Sequence, residues 1–273
     1  MSNTPESRQI DLIRERFSGA AESFGTYALD SRSSEAGKFA SLATAGVAST
    51  EIRNWRALDL ACGPGTFTRA LAARMRFVVG LDLTPLLLAR AVKSVGEASA
   101  AAKTVSVFGC GDGTRMPFAD GTFNLAICGY SIHHMLHPAR VIAELARVVR
   151  VGGRVALADM VSRDGSDREL HNRIEKARDA SHTFSLFAAE FRDMLENVNM
   201  RVISSELAEK TRNFEVWMNA MIVPRGTAAY AETRSLLEGT LKNDEAGMRP
   251  RINNDGELEY LLPTIYIVAE KIS

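Results

Sequence analysis

Three acids in this sequence share a setting in which they could do chemistry. Asp59 lies in "ALDLACGPG", Asp82 in "VVGLDLTP" and Asp112 in "GCGDGTRMPF", each at or near the end of a short apolar run and close to glycine. A fourth run, "NLAICGYSIHHM", ends on Gly129, Tyr130 and the pair His133–His134. A glycine turn after a buried strand lets a ligand lie on bare backbone, and a carboxylate at a strand end can accept hydrogen bonds from ribose hydroxyls or an adenine amino group. Two ligand classes compete for the first loop. The dinucleotide fingerprint GxGxxG needs a third glycine for close helix–strand packing. Gly63 and Gly65 supply the first two positions, but Thr68 stands at the third, which weighs against a nicotinamide cofactor. Asp82 fits either class. Asp112, set between glycines, fits best a ligand whose adenine lies across the third strand end.

Bringing these residues together requires strands that alternate with helices. Apolar runs at 57–61, 77–81, 104–108, 124–129 and 154–160 read as strands, and amphipathic stretches at 66–74, 84–95 and 138–149 read as helices between them. Strands apolar on both faces predict an α/β fold, a doubly wound, mostly parallel sheet with helices on both faces. Ligands of such sheets bind at the carboxyl ends of the strands, where strand order reverses. Further on, 185–197 reads as a helix and 202–208 and 264–270 as strands. Between those two strands lies an insertion, 211–258, with helical patterns at 214–221 and 227–240. Residues 6–48 read as two helices joined near Asp30–Ser34, from the helical spacing of Ile10, Ile13 and Phe17 and of Phe39 and Leu42.

Composition narrows the class. The 273 residues are 46% hydrophobic, enough for one large core, and 33 Lys plus Arg balance 33 Asp plus Glu. That zero net charge argues against nucleic acid as a partner. The first residues, "MSNTPESRQIDLIRERF", lack an apolar export core, and no run approaches the roughly 18 apolar residues of a membrane span. Cys62, Cys110 and Cys128 show no metal spacing and are expected to be small buried side chains. No metal, no membrane and a cytoplasmic location are the expectations, and the sequence sets no oligomeric state.

At this point the motifs taken together resemble a known family. "LDLACGPG", the acid after "VVGLD", "GDGTRMPFADGTFNLAICGYSIHHM" and "ELARVVRVGGRVALADM" are similar to the successive motifs of class I S-adenosylmethionine (SAM)-dependent methyltransferases, of the ubiquinone/menaquinone biosynthesis type, continuously over about residues 53–162. The resemblance implies a Rossmann-like sheet of seven strands, the last antiparallel. It implies a helical lid over residues 1–50, and a methyltransferase domain over 51–273 in which the insertion caps the substrate. Asp59, Ala61, Gly63 and Gly65 would form the methionine-side loop. Asp82 would hold the ribose hydroxyls, Leu83 would pack on adenine, and Asp112 and Gly113 would meet its amino edge. Gly129, Tyr130 and His134 would lie beside the methionine and sulfonium. The family often carries glycine where this chain has Ala61, and a small residue such as alanine where it has Gly113.

Each residue also has a blander reading. Asp59 is either a ligand contact or a strand-end acid satisfied by loop amides, and both readings stay open. Asp82 could cap a helix, but Thr84 before Pro85 serves as well and would leave Asp82 free. Asp112 could be an ordinary turn residue. Arg147, Arg150 and Arg154 read as a solvated helix end. Methyl transfer needs a base only if the acceptor must lose a proton. His182, in "RDASHTFSLF", is the candidate base beside His134, with Asp179 three residues earlier on the same side if the stretch is helical. Phe24 and Tyr27 are candidate lid aromatics over the cofactor, or core of a packed helix. Phe214, Trp217, Met218, Met221 and Tyr230 either line an acceptor pocket or form the insertion's own core. The expected function is methyl transfer from SAM to a small molecule, such as an aromatic or quinone-like metabolite, with S-adenosylhomocysteine (SAH) as product. A decarboxylase or cyclase that binds SAM without methylating is the alternative.

Overall fold

In the computed structural model, which describes residues 4–273 and the side chains of all but 97, 98, 101 and 102, the apolar runs become strands. They are β1 (Arg56–Leu60), β2 (Phe77–Asp82), β3 (Val105–Cys110), β4 (Phe123–Gly129), β5 (Val149–Met160), β6 (Met200–Asn213), β7 (Arg251–Ile252) and β8 (Leu258–Lys271). One sheet runs in the order β3-β2-β1-β4-β5-β8-β6, with β7 added against β8. The first five strands are parallel, and β8 is antiparallel to β5, β6 and β7. The seven expected strands are all present, and two-residue β7 makes an eighth. β6 and β8 each run 14 residues, well beyond 202–208 and 264–270, so the expected insertion begins and ends on the arms of this long antiparallel pair.

Eleven α-helices are described: α1 (Pro5–Gly19), α2 (Ala21–Ser31), α3 (Ser33–Ala43), α4 (Ser49–Ile52), α5 (Thr66–Ala72), α6 (Pro85–Ala102), α7 (Pro138–Val148), α8 (Arg168–Arg178), α9 (Ala188–Glu196), α10 (Phe214–Ala220) and α11 (Ala228–Gly239). Thr4 caps α1 through its hydroxyl, which accepts the Ser7 amide, and Pro5 follows at the first helical position. The N-terminal region is three main helices rather than two, because the chain also breaks at Ala20, just after Gly19. Helix α8 was not expected as such. It buries His171, Ile174 and Glu175, so its inner face is half polar and hides the apolar periodicity that marks a helix.

The core divides by sheet face. On one side α7 and α9 bury Val141, Leu145, Phe191 and Leu195 against the strands. On the other, Phe39 of α3 and Phe67 and Leu71 of α5 do the same. Burying each such side chain contributes roughly 1.5–3 kcal/mol. A third cluster joins the start of β8 to α8, α10 and α11 through Ile174, Phe214, Met218, Tyr230 and Tyr260. Two surface expectations are corrected. Cys110 is exposed at the sheet edge, unlike Cys62 and Cys128. Arg154 is not solvated: it is buried and donates to the carbonyls of Ala43 and Ala45 at 3.1 and 2.8 Å. Among the described residues no helix is long and apolar enough to cross a membrane.

Candidate active site

A cavity of about 160 Å³ opens at the carboxyl ends of β1 to β4, where the strand order turns between β1 and β4. The loop after β1 reaches it by three left-handed residues, Ala61 at φ +54°, Gly63 at +52° and Gly65 at +88°. Ala61 adopts that conformation at a cost of about 1–2 kcal/mol, which explains why glycine suits the position. Gly63 lines the cavity, and a Cβ there would meet nothing nearer than a Phe24 ring atom at 4.0 Å. It is bare backbone facing open space. Gly65 lies off the cavity. A Cβ on it would stand 2.6 Å from Val95 Cγ2 and 3.2 Å from Ala91, so this glycine is required by the packing of α6.

The three acids divide. Asp82 lines the cavity and ties the loops together: Oδ2 accepts the Gly63 amide and Oδ1 the Thr84 amide, both at 2.8 Å. Thr84 holds the cap position of α6 but its side chain caps nothing, so Asp82 is not left free as expected. Burial raises its pKa. Asp112 also lines the cavity, and its two oxygens accept the Thr114 amide and hydroxyl at 2.8 Å. Asp59 stands one layer behind, fully buried, with Oδ2 accepting the Thr68 hydroxyl at 2.6 Å and Oδ1 without a partner. Burial pushes its pKa up to about 7. Thr68, the residue that spoils the dinucleotide fingerprint, is therefore the partner of this acid.

Leu83, Gly113 and Gly129 line the cavity as well. A side chain at position 129 would collide with the Phe67 ring at 2.6 Å. Tyr130 follows at φ +56°; its hydroxyl donates to Glu35 at 2.8 Å and pairs with Tyr266 at 3.1 Å. The Arg32 guanidinium lies 4.2 Å above the Tyr130 ring and faces the cavity too. Helix α1 is clamped across the opening. Gln9 donates to the carbonyls of His134 and Ser181 at 2.9 and 2.7 Å, and Arg14 to that of Leu83 at 3.2 Å. Phe17 and Phe24 meet edge to face at 5.1 Å over the cavity. Of the two expected lid aromatics, Phe24 is there and Tyr27 is not. Tyr27 faces a second cavity of about 40 Å³ and accepts a hydrogen bond from Arg212 at 3.2 Å. That second cavity shares Phe17, Phe24, Arg32, Tyr130 and His134 with the first.

His134 lines both cavities. Its Nδ1 lies 3.1 Å from Ser181 Oγ, and Ser181 spends its own hydroxyl proton on Asp179 Oδ1 at 2.7 Å. The imidazole must therefore carry its proton on Nδ1 and donate it to Ser181, which leaves the Nε2 lone pair free. Burial, with His133 beside it, pushes the His134 pKa down to about 4, so the ring is neutral at pH 7. The other expected base, His182, reaches neither cavity. It is buried, its Nε2 pairs with Asn172 Oδ1 at 2.8 Å, and burial drives its pKa far down. Residues 179–182 are not helical, and Asp179 meets His182 only through the backbone, accepting its amide at 2.9 Å. His133 pairs with Asp159 at 2.5 Å.

Sequence reasoning missed Thr66, Arg32, Gln9 and Ser181. Thr66, at the start of α5, lines the cavity with a buried hydroxyl that has no partner; its place directly after the glycine loop was the available signal. In the insertion the residues divide. Phe214, Met218 and Tyr230 are core, whereas Trp217 and Met221 line the second cavity.

Residues 58–157 match the family model described as a methyltransferase domain. The chain is 26% identical over 194 residues to YcgJ, an uncharacterised methyltransferase of Bacillus subtilis, covering 70% of this chain and 73% of the relative. The solved structure of YcgJ superposes with a TM-score of 0.70 at 22% identity, over 81% of this chain and 93% of that one. The demethylmenaquinone methyltransferase of Thermobifida fusca is 33% identical over 102 residues, which is 37% of this chain and 42% of that protein. This chain thus matches less than half the length of that quinone-modifying relative. The structure of the cyclase SpnF superposes over 98% of this chain and 97% of its own, with a TM-score of 0.66 at 16% identity. Two further structures of this fold hold SAM or SAH.

Proposed function

We propose that this chain, which carries a methyltransferase domain over residues 58–157 on the class I fold, transfers a methyl group from SAM to a small-molecule acceptor. The observation that carries the reading is one juxtaposition: the open left-handed backbone at Gly63, the Asp82 carboxylate and Asp112 face a single cavity at the point where strand order reverses. The residues fit the cofactor. The unpartnered Thr66 hydroxyl and the Arg32 guanidinium are placed for the polar methionine end. Asp82 keeps lone pairs for ribose hydroxyls beyond the two amides it accepts, and Asp112 for an adenine amino group.

Bound SAM supplies a methyl group on a cationic sulfur already activated for in-line displacement. The chain need only orient and dry the reactants, an effect worth roughly 7–11 kcal/mol when the geometry is good. Phe17 of the clamped helix α1 and Phe24 of α2, packed against it, exclude water from the cavity. His134 Nε2, its tautomer set by Ser181 and Asp179, is placed to take a proton from an acceptor that must lose one. No covalent nucleophile is required.

Methyl-labelled SAM incubated with candidate acceptors tests this: labelled product and an equal amount of SAH support transfer. The second reading, a SAM-assisted cyclisation, is favoured by the full-length superposition on SpnF. Turnover without SAH would select it.

A further inference from the structure

We propose that the second cavity is a carboxylate subsite, in which Arg178 and Arg212 hold an acid group of the methyl acceptor. The inference rests on the methyltransferase reading above and names the class of its acceptor.

Both guanidiniums line this cavity and not the cofactor cavity. Their side chains are 9% and 6% exposed, and each Nε is buried without a hydrogen-bond partner. The carboxylates that face them stand off: Glu175 is 3.6 Å from Arg178, and Glu35 is 3.9 Å from Arg212. Glu35 already serves Lys210 and the Tyr130 hydroxyl. A buried cation with loose partners costs free energy that a well-placed anion recovers. Arg178 lies 4.5 Å over the Trp217 ring; a stacked guanidinium keeps its in-plane N–H groups free for bidentate pairing with a planar carboxylate.

The size of the cavity agrees. Arg32 also lines the cavity, but it faces the cofactor side as well and is spoken for by the methionine carboxylate. Setting it aside leaves Arg178 and Arg212 as the cations that line the cavity, with Asp179 beside them and Glu175 and Glu35 standing behind. Asp179 Oδ1 is occupied by the Ser181 amide and hydroxyl and lies 3.5 Å from Arg16, whereas Oδ2 is buried without a hydrogen-bond partner. The cavity holds about 40 Å³; at about 10–15 Å³ for each water-sized group, that is room for a group of about three non-hydrogen atoms. A carboxylate fits and a ring does not. The rest of the acceptor then lies toward Phe17, Phe24 and His134, which the two cavities share, and so beside the methyl donor.

Benzoate, benzamide and benzylamine titrated calorimetrically into the SAH-saturated protein test the subsite. Benzoate is expected to bind saturably, with benzamide and benzylamine at least tenfold weaker. Arg212→Met should weaken benzoate at least tenfold and Arg212→Lys recover part of the loss. Glu35 keeps Lys210 in both variants, and unchanged SAH affinity reports intact folding. Equal binding of the three probes, no benzoate binding to the SAH-loaded protein, or benzoate affinity unchanged in Arg212→Met would overturn the subsite while leaving the cofactor reading intact. Failure to bind SAH at all would instead remove the cofactor reading.

Discussion

Asp82 holds Gly63: the carboxylate accepts the glycine amide at 2.8 Å and so joins the loop after β1 to the end of β2. Hydrogen bonds to charged groups contribute about 1.5–3 kcal/mol each, and Asp82 makes a second to Thr84. Asp82→Ala is therefore expected to lower SAH affinity at least tenfold and to lower the melting temperature, read by calorimetry and a thermal melt. Wild-type affinity in this variant would mean that the carboxylate touches only protein.

The two glycines of the same loop separate by function. Gly65→Ala forces a methyl group against Val95, and overpacking of this kind costs about 1–3 kcal/mol. Gly63→Ala meets open space and puts its methyl where the ligand lies. Urea unfolding should show the larger loss for Gly65→Ala, and SAH titration the larger loss for Gly63→Ala. The reverse ranking would contradict this division.

Asp59 acts behind the site and not in it. Its folded pKa is raised to about 7, so the folded protein keeps a proton that the unfolded chain gives up near pH 4. Stability from this group is present below the unfolded pKa and is lost as pH rises toward 7. Asp59→Asn, which keeps an oxygen for Thr68, should gain stability relative to wild type between pH 4 and pH 7, by up to about 4 kcal/mol. SAH affinity should stay within a few-fold. A large loss of binding would restore Asp59 as a ligand contact.

His134 is neutral down to about pH 4 because burial lowers its pKa. Its basic form is therefore present throughout the ordinary range, and the acid limb of kcat should lie near pH 4 to 5 and not at 6.5. With a hydroxyl or phenol acceptor, His134→Gln should lower kcat by about 10²-fold or more with little change in SAM KM. His182→Gln, at a residue that lines neither cavity, should leave the acid limb in place. A limb that moves only in the His182 variant would reverse the assignment.

The sequence makes the sheet and the cofactor side legible because their signals are local. Apolar runs followed by glycine, an acid or both mark β1 to β4, and a positive φ demands the residue types seen at Gly63 and Gly65. The second cavity was hidden because it is assembled from distant segments. Arg178 ends a helix whose inner face is half polar, Arg212 lies on an extension of β6, and Arg32 sits between two N-terminal helices. His182 misled for a related reason. Its intrinsic pKa fits a base, but only the fold reveals that Asn172 holds it and that Ser181 and Asp179 serve His134 instead. Asp82 was placed at the right strand end, yet its tie to Gly63 spans two loops and leaves no trace in either.

Titration of the purified protein with SAH and, in parallel, with NADH bears most directly on the cofactor assignment. Micromolar binding of SAH alone is the expected result. Binding of NADH in its place, or of neither ligand, would contradict the reading of the Gly63 loop and with it the methyl-transfer function.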